Sequence, residues 1–321
     1  MTLSRRAAIG AAATLYAAPT LLHARHAAAQ ASAPPVVGPA FHRFEVGALK
    51  VTVVTDGSNV RPNATQGLVV NATPEQVGSA MSAAGLPGPA MRNPYNVTFV
   101  ETPRGLVALD VGTGGAGGPG TGALQDNMRA AGLDPARVLL IAHTHFHGDH
   151  IGGLTSNDGA ALFPQAMVVV PEREWAFWTD AGEESRATEA RRPGFANVRR
   201  RFAPYLDRMT RFAPDAEVAP GIRAVATNGH SPGHTSFLIA DGTAQALVIG
   251  DAITAPAFFM VNPDWCPVFD MDPAMAVDTR KRLLDRAATE RMPVVGYHFD
   301  MPATGRVERA GTGYRLVPGA A

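Results

Sequence analysis

AHTHFHGDHIGG, residues 142–153, places four histidines and an aspartate within eight positions, from His143 to His150. One register through it gives the spacing H-x-H-x-D-H: His145, His147, Asp149 and His150, with His143 left outside. The stretch succeeds an apolar run, 137–142, that reads as a strand. Alternation at a strand end carries His145 and His147 to one side, where two imidazoles can converge on one ion. The turn at Gly148 then presents Asp149 and His150 to a neighbouring position, so a carboxylate and an imidazole begin a second site. A closed structural zinc site would draw on cysteines, and the chain has a single one, Cys266, which is read as a packed or pocket-lining residue.

On either side of this stretch, short apolar runs rich in β-branched residues alternate with helical patterns. Strands are expected over 49–56, 96–101, 106–111, 137–142, 166–171, 222–227, 235–240, 245–250 and 293–298. Helices are expected over 122–131, 172–180, 195–209 and 273–290. Strands in runs with helices between them, and no short-period repeat or low-complexity linker, predict one α/β domain of layered sheets.

The chain of 321 residues is 46% hydrophobic, enough for a sizeable core, and balances 28 basic against 28 acidic residues. That balance argues against a nucleic acid partner and for a small-molecule substrate. The first 31 residues read as an export signal of the twin-arginine type, removed from the mature protein: Ser4-Arg5-Arg6 precedes an alanine-rich run and then small residues at 27–29. The expected mature domain is 32–321, periplasmic or secreted, with no membrane association once the signal is gone. GTGGAG, residues 112–117, matches a dinucleotide-binding fingerprint. The glycine run continues, Pro119 interrupts any helix start, and no second βαβ half comes after it, so the stretch is read as a glycine loop after a strand and no nucleotide cofactor is expected.

The histidine stretch, taken together with three later motifs, resembles the metallo-β-lactamase superfamily of hydrolases. After H-x-H-x-D-H come His234 in GHSPGHTSF, Asp251 in LVIGDA and His298 in VVGYHF, in family order, while Asp56 in VTDG and Asp110 in LDVG resemble acidic residues at the ends of early strands. The resemblance covers roughly residues 50–300 and implies a four-layer αββα sandwich of two mixed sheets flanked by helices. It also implies two divalent ions, zinc first, with manganese, iron or cobalt suiting the same ligands. His145, His147 and His234 would hold one ion and Asp149, His150 and His298 the other. Asp251 would bridge them, and Asp251 and Asp149 would be the catalytic carboxylates. His230, Asp56 and Asp110 would stand behind the ligands, His143 would either do the same or pack, and a homodimer is the assembly the resemblance points to.

The implied chemistry is hydrolysis by a hydroxide shared between two metals, on an ester, lactone or phosphotriester bond. The leader, GHSPGHTSF, the EREWAFW helix and the GYRLVP ending resemble the exported methyl parathion hydrolase and lactonase subgroup, where an aromatic wall stands over the metals. Trp178 and Phe195 fall at its positions, whereas Gly117 stands where a phenylalanine is expected, which weighs against phosphotriesters. Two alternatives come from other classes: a redox enzyme of the same fold, such as an iron persulfide dioxygenase, and a non-catalytic metal-binding protein. The filled ligand set argues against the second.

Overall fold

The computed structural model describes residues 39–86 and 88–319, so the expected leader lies outside the described residues. In chain order the elements are β1 (Phe41–Val46), β2 (Leu49–Arg61), α1 (Pro74–Ala83), β3 (Met91–Thr102), β4 (Gly105–Leu109), α2 (Leu124–Ala130), β5 (Val138–Ala142), α3 (Gly148–Ile151) and β6 (Met167–Pro171). Then come α4 (Glu172–Thr179), α5 (Ala181–Arg186), α6 (Arg192–Phe202), β7 (Met209–Phe212), β8 (Glu217–Ala219), β9 (Ile222–Ala226), β10 (Thr235–Asp241) and β11 (Ala244–Val248). The chain continues through α7 (Pro256–Phe259), α8 (Pro273–Glu290), β12 (Val294–Val295), β13 (Thr304–Ala310) and β14 (Gly313–Pro318).

Strands β1 to β7 form one seven-stranded sheet in sequence order, and β14 to β8 form a second, also of seven. Both are mixed: β4 through β7 pair in parallel in the first, and β11 pairs in parallel with β12 in the second. Period-two alternation divides the side chains of the first sheet between two cores. Val51, Val53, Val107 and Leu109 join Ile222, Phe237, Ile239 and Leu247 of the second sheet in one cluster, which also buries Leu283, Leu284 and Ala287 of α8. Val54, Val97, Ala108, Ile141 and Val168 belong to another cluster, with Leu124 and Met128 of α2 and Phe195, Val198 and Phe202 of α6. Strands buried on both faces explain the near-continuous apolar runs in β4, β5 and β6. Two mixed sheets with flanking helices are the expected architecture.

The predicted helix over 195–209 begins earlier, at Arg192, and its last turns tighten into 3₁₀ geometry at Ala203–Arg208 after Phe202. The strand expected over 293–298 is only Val294–Val295, because the chain leaves the sheet to deliver Tyr297 and His298 to the interior. No helix of the described residues is long and apolar enough to cross a membrane.

The topology gathers chemistry at one kind of place. Asp110 lies just past β4, the histidine stretch past β5, Asp251 past β11 and His298 past β12. All four are carboxyl ends of strands that pair in parallel, where open α/β sheets gather ligands.

Candidate metal centre

Two groups of ligand atoms converge in the interior. His145 Nε2 and His230 Nε2 lie 3.0 and 2.9 Å from His147 Nδ1, and Asp251 Oδ2 is 3.3 Å from His230 Nε2. In the second group, Asp149 Oδ2 is 3.8 Å from His150 Nε2 and 3.4 Å from His298 Nε2. Asp251 faces both groups, with Oδ1 3.2 Å from His150 Nε2 and Oδ2 3.2 Å from His298 Nε2.

Four of these histidines are held by the ring nitrogen that points away from the centre. His145 Nδ1 meets the Thr144 hydroxyl at 3.0 Å, His150 Nδ1 donates to Asp110 at 2.8 Å, His230 Nδ1 donates to Asp270 at 3.0 Å and His298 Nδ1 donates to the Pro94 carbonyl at 2.8 Å. In the neutral ring each contact fixes the tautomer whose lone pair is on Nε2, as metal-bound imidazoles require. His150 Nε2 and Asp251 Oδ1 are buried without a hydrogen-bond partner. Buried polar atoms are rarely left so, and a cation between them would satisfy both. The donor set of imidazole and carboxylate fits a divalent metal site.

The expected roles of His230 and His234 are exchanged. His230 contributes to the first group, whereas both ring nitrogens of His234 are engaged elsewhere: Nδ1 with Thr227 at 2.8 Å, and Nε2 as acceptor of the Asp251 backbone N–H at 2.9 Å. The helix α8 imposes this choice. Its N-terminal approach receives the loop at Gly229, whose Cα lies so close that a Cβ would come within 2.3 Å of the Ala276 amide, and Asp272 and Met271 donate to the Gly229 and His230 carbonyls. That docking sets the His230 ring against Asp270, itself paired with the buried Arg280 at 3.0 Å. Asp270 and Arg280 belong to no motif, and only the helical phase of Arg280, on the apolar face of α8, hinted at burial.

Asp110 lies behind His150, whereas Asp56 lies apart from both groups. Its carboxylate accepts from the Thr113 amide and hydroxyl and from the Leu124 amide, so it organises the glycine loop and the start of α2. Asp110 takes the Thr144 amide and hydroxyl at 2.8 and 2.7 Å in addition to His150. His143, 3.4 Å from Asp110, packs edge-on against Phe146 and Phe202. Glu174, fully buried on α4, accepts from the Phe146 and Gly233 amides, the Ser231 hydroxyl and the Trp178 indole, and so ties the two histidine loops together.

A cavity of about 620 Å³ opens onto the centre, lined by His147, Asp149, His230, Asp251 and His298, and by Gly117 and Tyr95. Among the described residues that line it, Trp178 and Phe195 are absent. Both are core residues, 2% and 0% exposed, packed against each other with tilted rings at 4.9 Å and the Trp178 indole spent on Glu174. Two large aromatic side chains bury more apolar area by packing together than by lining an open cavity, and here packing wins.

Protonation in the metal-free chain is set by burial and charge. Burial, reinforced by neighbouring histidines, holds His145 and His147 well below the usual imidazole range. His234 is lowered to about 3, chiefly by burial. Burial would also lower His150 and His298, but Asp251 and Asp149 outweigh it and raise both. Burial likewise opposes ionisation of Asp251, and the His298 and His150 charges overcome it, holding its carboxyl well below its ordinary value.

The family profile described as "Metallo-beta-lactamase superfamily" matches residues 91–297, more than half of the chain. An N-acyl homoserine lactonase of Bacillus thuringiensis is 27% identical over 175 residues, 54% of this chain and 60% of its own length. The chain thus spans about three-fifths of the lactonases it matches. The acyl-coenzyme A thioesterase MBLAC2 of Gallus gallus is 29% identical over 234 residues, 69% of this chain and 78% of its own. Among solved structures, AidC, a dizinc quorum-quenching lactonase, superposes with a TM-score of 0.81 at 20% identity, over 88% of this chain and 98% of its own. The hydrolase AbOPH of the β-lactamase superfamily gives 0.82 at 24%, over 88% and 99%. At these identities the superpositions speak for the fold alone.

Two outcomes are expected. His230→Ala removes a donor and lowers divalent-ion affinity by more than the roughly 10–100-fold expected of His234→Ala, which only loosens the Asp251 backbone; calorimetry with Zn²⁺ showing the reverse order would restore His234 as the ligand. Because the raised His150 and His298 must release protons on binding, affinity for the ion should increase with pH until both rings are neutral, by up to about tenfold per unit for each proton. Titrations in two buffers of different ionisation enthalpy read the released protons directly, and binding without release would overturn that account.

Proposed function

The chain belongs to the metallo-beta-lactamase superfamily, and from that membership we propose that it is a dinuclear metal-dependent hydrolase acting on esters and lactones. The observation that carries this reading is Asp251, whose two carboxylate oxygens each stand 3.2 Å from a histidine of the second group while Oδ2 also lies 3.3 Å from His230 of the first. A carboxylate that faces both groups supports sharing between two ions. His145, His147 and His230 would hold one ion, Asp149, His150 and His298 the other, and Asp251 both, with zinc the leading candidate. Ions held there would supply Lewis acidity, polarising the substrate carbonyl or phosphoryl oxygen and acidifying water.

The protein's own groups divide the remaining work. Asp149 is the more exposed of the two shared-site carboxylates, 27% against 5% for Asp251, so it is the one reachable by solvent for passing a proton in or out of the cavity. Tyr95 lies on the same wall, edge-on to His298 at 5.4 Å. Its hydroxyl accepts from Asn93 at 3.1 Å, which leaves its proton free to donate. Burial, and then the charge of Asp149, push the phenol up to about 12, so it remains a neutral donor at ordinary pH. Hydrogen bonds donated to an oxygen that gains charge in the transition state are worth roughly 2.7–4 kcal/mol in acyl transfer.

Substrate class rests on the walls. With Trp178 and Phe195 in the core and glycine at 117, the rings left to meet an aryl leaving group are those of Tyr95, Phe259 and Phe269, not the wall expected of phosphotriester hydrolysis. Esters and lactones depend more on the ions and on Tyr95. The lactonase and thioesterase relatives support an acyl substrate.

Asp251→Asn should lower kcat/KM by about 10²-fold or more while moving the melting temperature of the metal-free protein little, since the fold's cores lie elsewhere. On the native protein loaded with zinc, a panel of lactones, aryl esters, acyl thioesters and phosphotriesters should show acyl compounds leading. Methyl parathion as the best substrate, or no hydrolysis with two ions bound, would sink the assignment. Export by the twin-arginine route, supported by Ser4-Arg5-Arg6 and the apolar run after it, is part of the same proposal. Replacing Arg5 and Arg6 by lysine should strand the precursor in the cytoplasm, and normal periplasmic levels in a fractionation would refute that route.

A further inference from the structure

With Asp149 and Asp251 given to the ions, the two arginines on the cavity wall have no acidic partner on it. The far ends of β2 and β3 carry Asn59 and Arg61 on one strand and Arg92 and Asn93 on the other, paired Asn59 with Asn93 and Val60 with Arg92, and all four polar residues line the cavity. Among the described residues that line it, the acidic ones are Asp149 and Asp251 alone, and both are assigned to the ions. Nothing acidic on the wall is left to answer the two arginines.

Their own contacts are thin. Arg61 has no carboxylate partner among the described residues; it lies over the Phe269 ring at 5.6 Å and reaches the Gly67 carbonyl only at 3.4 Å. Arg92 is 3.4 Å from Asp300, whose side chain is 70% exposed, and its Nε is buried without any partner. A guanidinium presents five donors in a fixed fork that suits the paired oxygens of a carboxylate or phosphate, and a buried donor without an acceptor is costly. Phe269, itself half exposed, is held against the Arg61 guanidinium where the wall opens.

We propose that the substrate carries an anionic oxygen group, carboxylate or phosphate, remote from the bond that is cleaved, and that Arg61 and Arg92 receive it. This rests on the hydrolase reading and names the class of ester or lactone it acts on. The cluster of ions takes the scissile end, and the β2–β3 wall takes the charged end. The positive wall also draws such a substrate inward at low ionic strength.

The test uses the zinc-loaded full chain and three matched substrates: the mono-4-nitrophenyl ester of adipic acid, the same ester with its far end as a neutral amide, and an analogue ending in phosphate. The expected result is a preference of about tenfold or more in kcat/KM for an anionic end over the amide, shrinking as salt is raised, with the two anionic arms telling carboxylate from phosphate. Arg61→Gln and Arg92→Gln should each cut that preference by about threefold or more. Equal rates for charged and neutral ends, or a preference that both variants keep, would overturn the proposal. If none of the three is cleaved, the hydrolase reading fails, and binding then decides this one: adipate, but not adipamide, should raise the melting temperature of the zinc-loaded protein and lose that effect in Arg61→Gln. Equal shifts from the two would overturn it. Arg61 is partly buried at a strand end and has no ion pair among the described residues, so its variant remains informative even where Arg92→Gln folds poorly.

Discussion

Asp110 adopts a left-handed backbone, φ 65°, just past β4, and its buried carboxylate accepts from the Thr144 amide, the Thr144 hydroxyl and the His150 ring at 2.8, 2.7 and 2.8 Å. A non-glycine residue held there is strained, and the strain persists only where surroundings over-determine it. Here the Asp110 amide bonds the Ala142 carbonyl and the Val111 amide bonds that of His150. The chain that carries the histidines is thus fastened by backbone and side chain to the neighbouring strand. Burial alone would raise the Asp110 carboxyl, but the His150 charge and the histidine hydrogen bonds hold it well below the usual carboxylate range. A permanently ionised group behind His150 keeps that ring in one tautomer, and this sets the geometry of the second ligand group.

The other half of the centre is held from α8. Arg280, 1% exposed, spends its guanidinium on the Ala252, Pro263 and Trp265 carbonyls and on Asp270, which in turn holds His230. A buried ion pair of this kind adds little to net stability, because desolvation offsets most of its attraction, yet removing one partner would strand the other. Its contribution is to placement. Ala252 is the residue after Asp251, so one side chain braces Asp251 and, through Asp270, a histidine of the first group.

How much of this is legible in the sequence depends on whether a residue's role is local or comes from a neighbour distant in the chain. His145, His147, Asp149 and His150 lie on one turn, and their spacing alone brings them together. His230 and His234 are four apart in a loop with two glycines, and nothing local says which ring turns inward; α8, some forty residues later, does. Trp178 and Phe195 fall at pocket positions by resemblance, but only the packing of α4 against α6 shows them facing each other. Asp56 sits at a strand end like Asp110, and what it touches is settled by the glycine loop, not by its own strand. The strands β1, β7, β8, β13 and β14 carry little signal of their own because they are short or alternate with charged residues, as in RVERA, and their pairing partners supply what is missing.

The loop at Gly117 is fixed from two sides. Its carbonyl accepts from Asn59 at 3.1 Å, and a side chain there would begin 2.9 Å from the Thr113 methyl and 3.0 Å from Thr121. Thr113 is in turn bonded to Asp56 at 2.6 Å. Over evolutionary time, a lineage descending from this chain could not acquire a bulky residue at 117 in one step. It would first have to shrink or release a threonine on which the Asp56 network depends, losing stability before any gain in recognition. Drift in specificity is therefore channelled toward positions such as Arg61 at the end of β2, whose side chain has no ion pair among the described residues and can change singly.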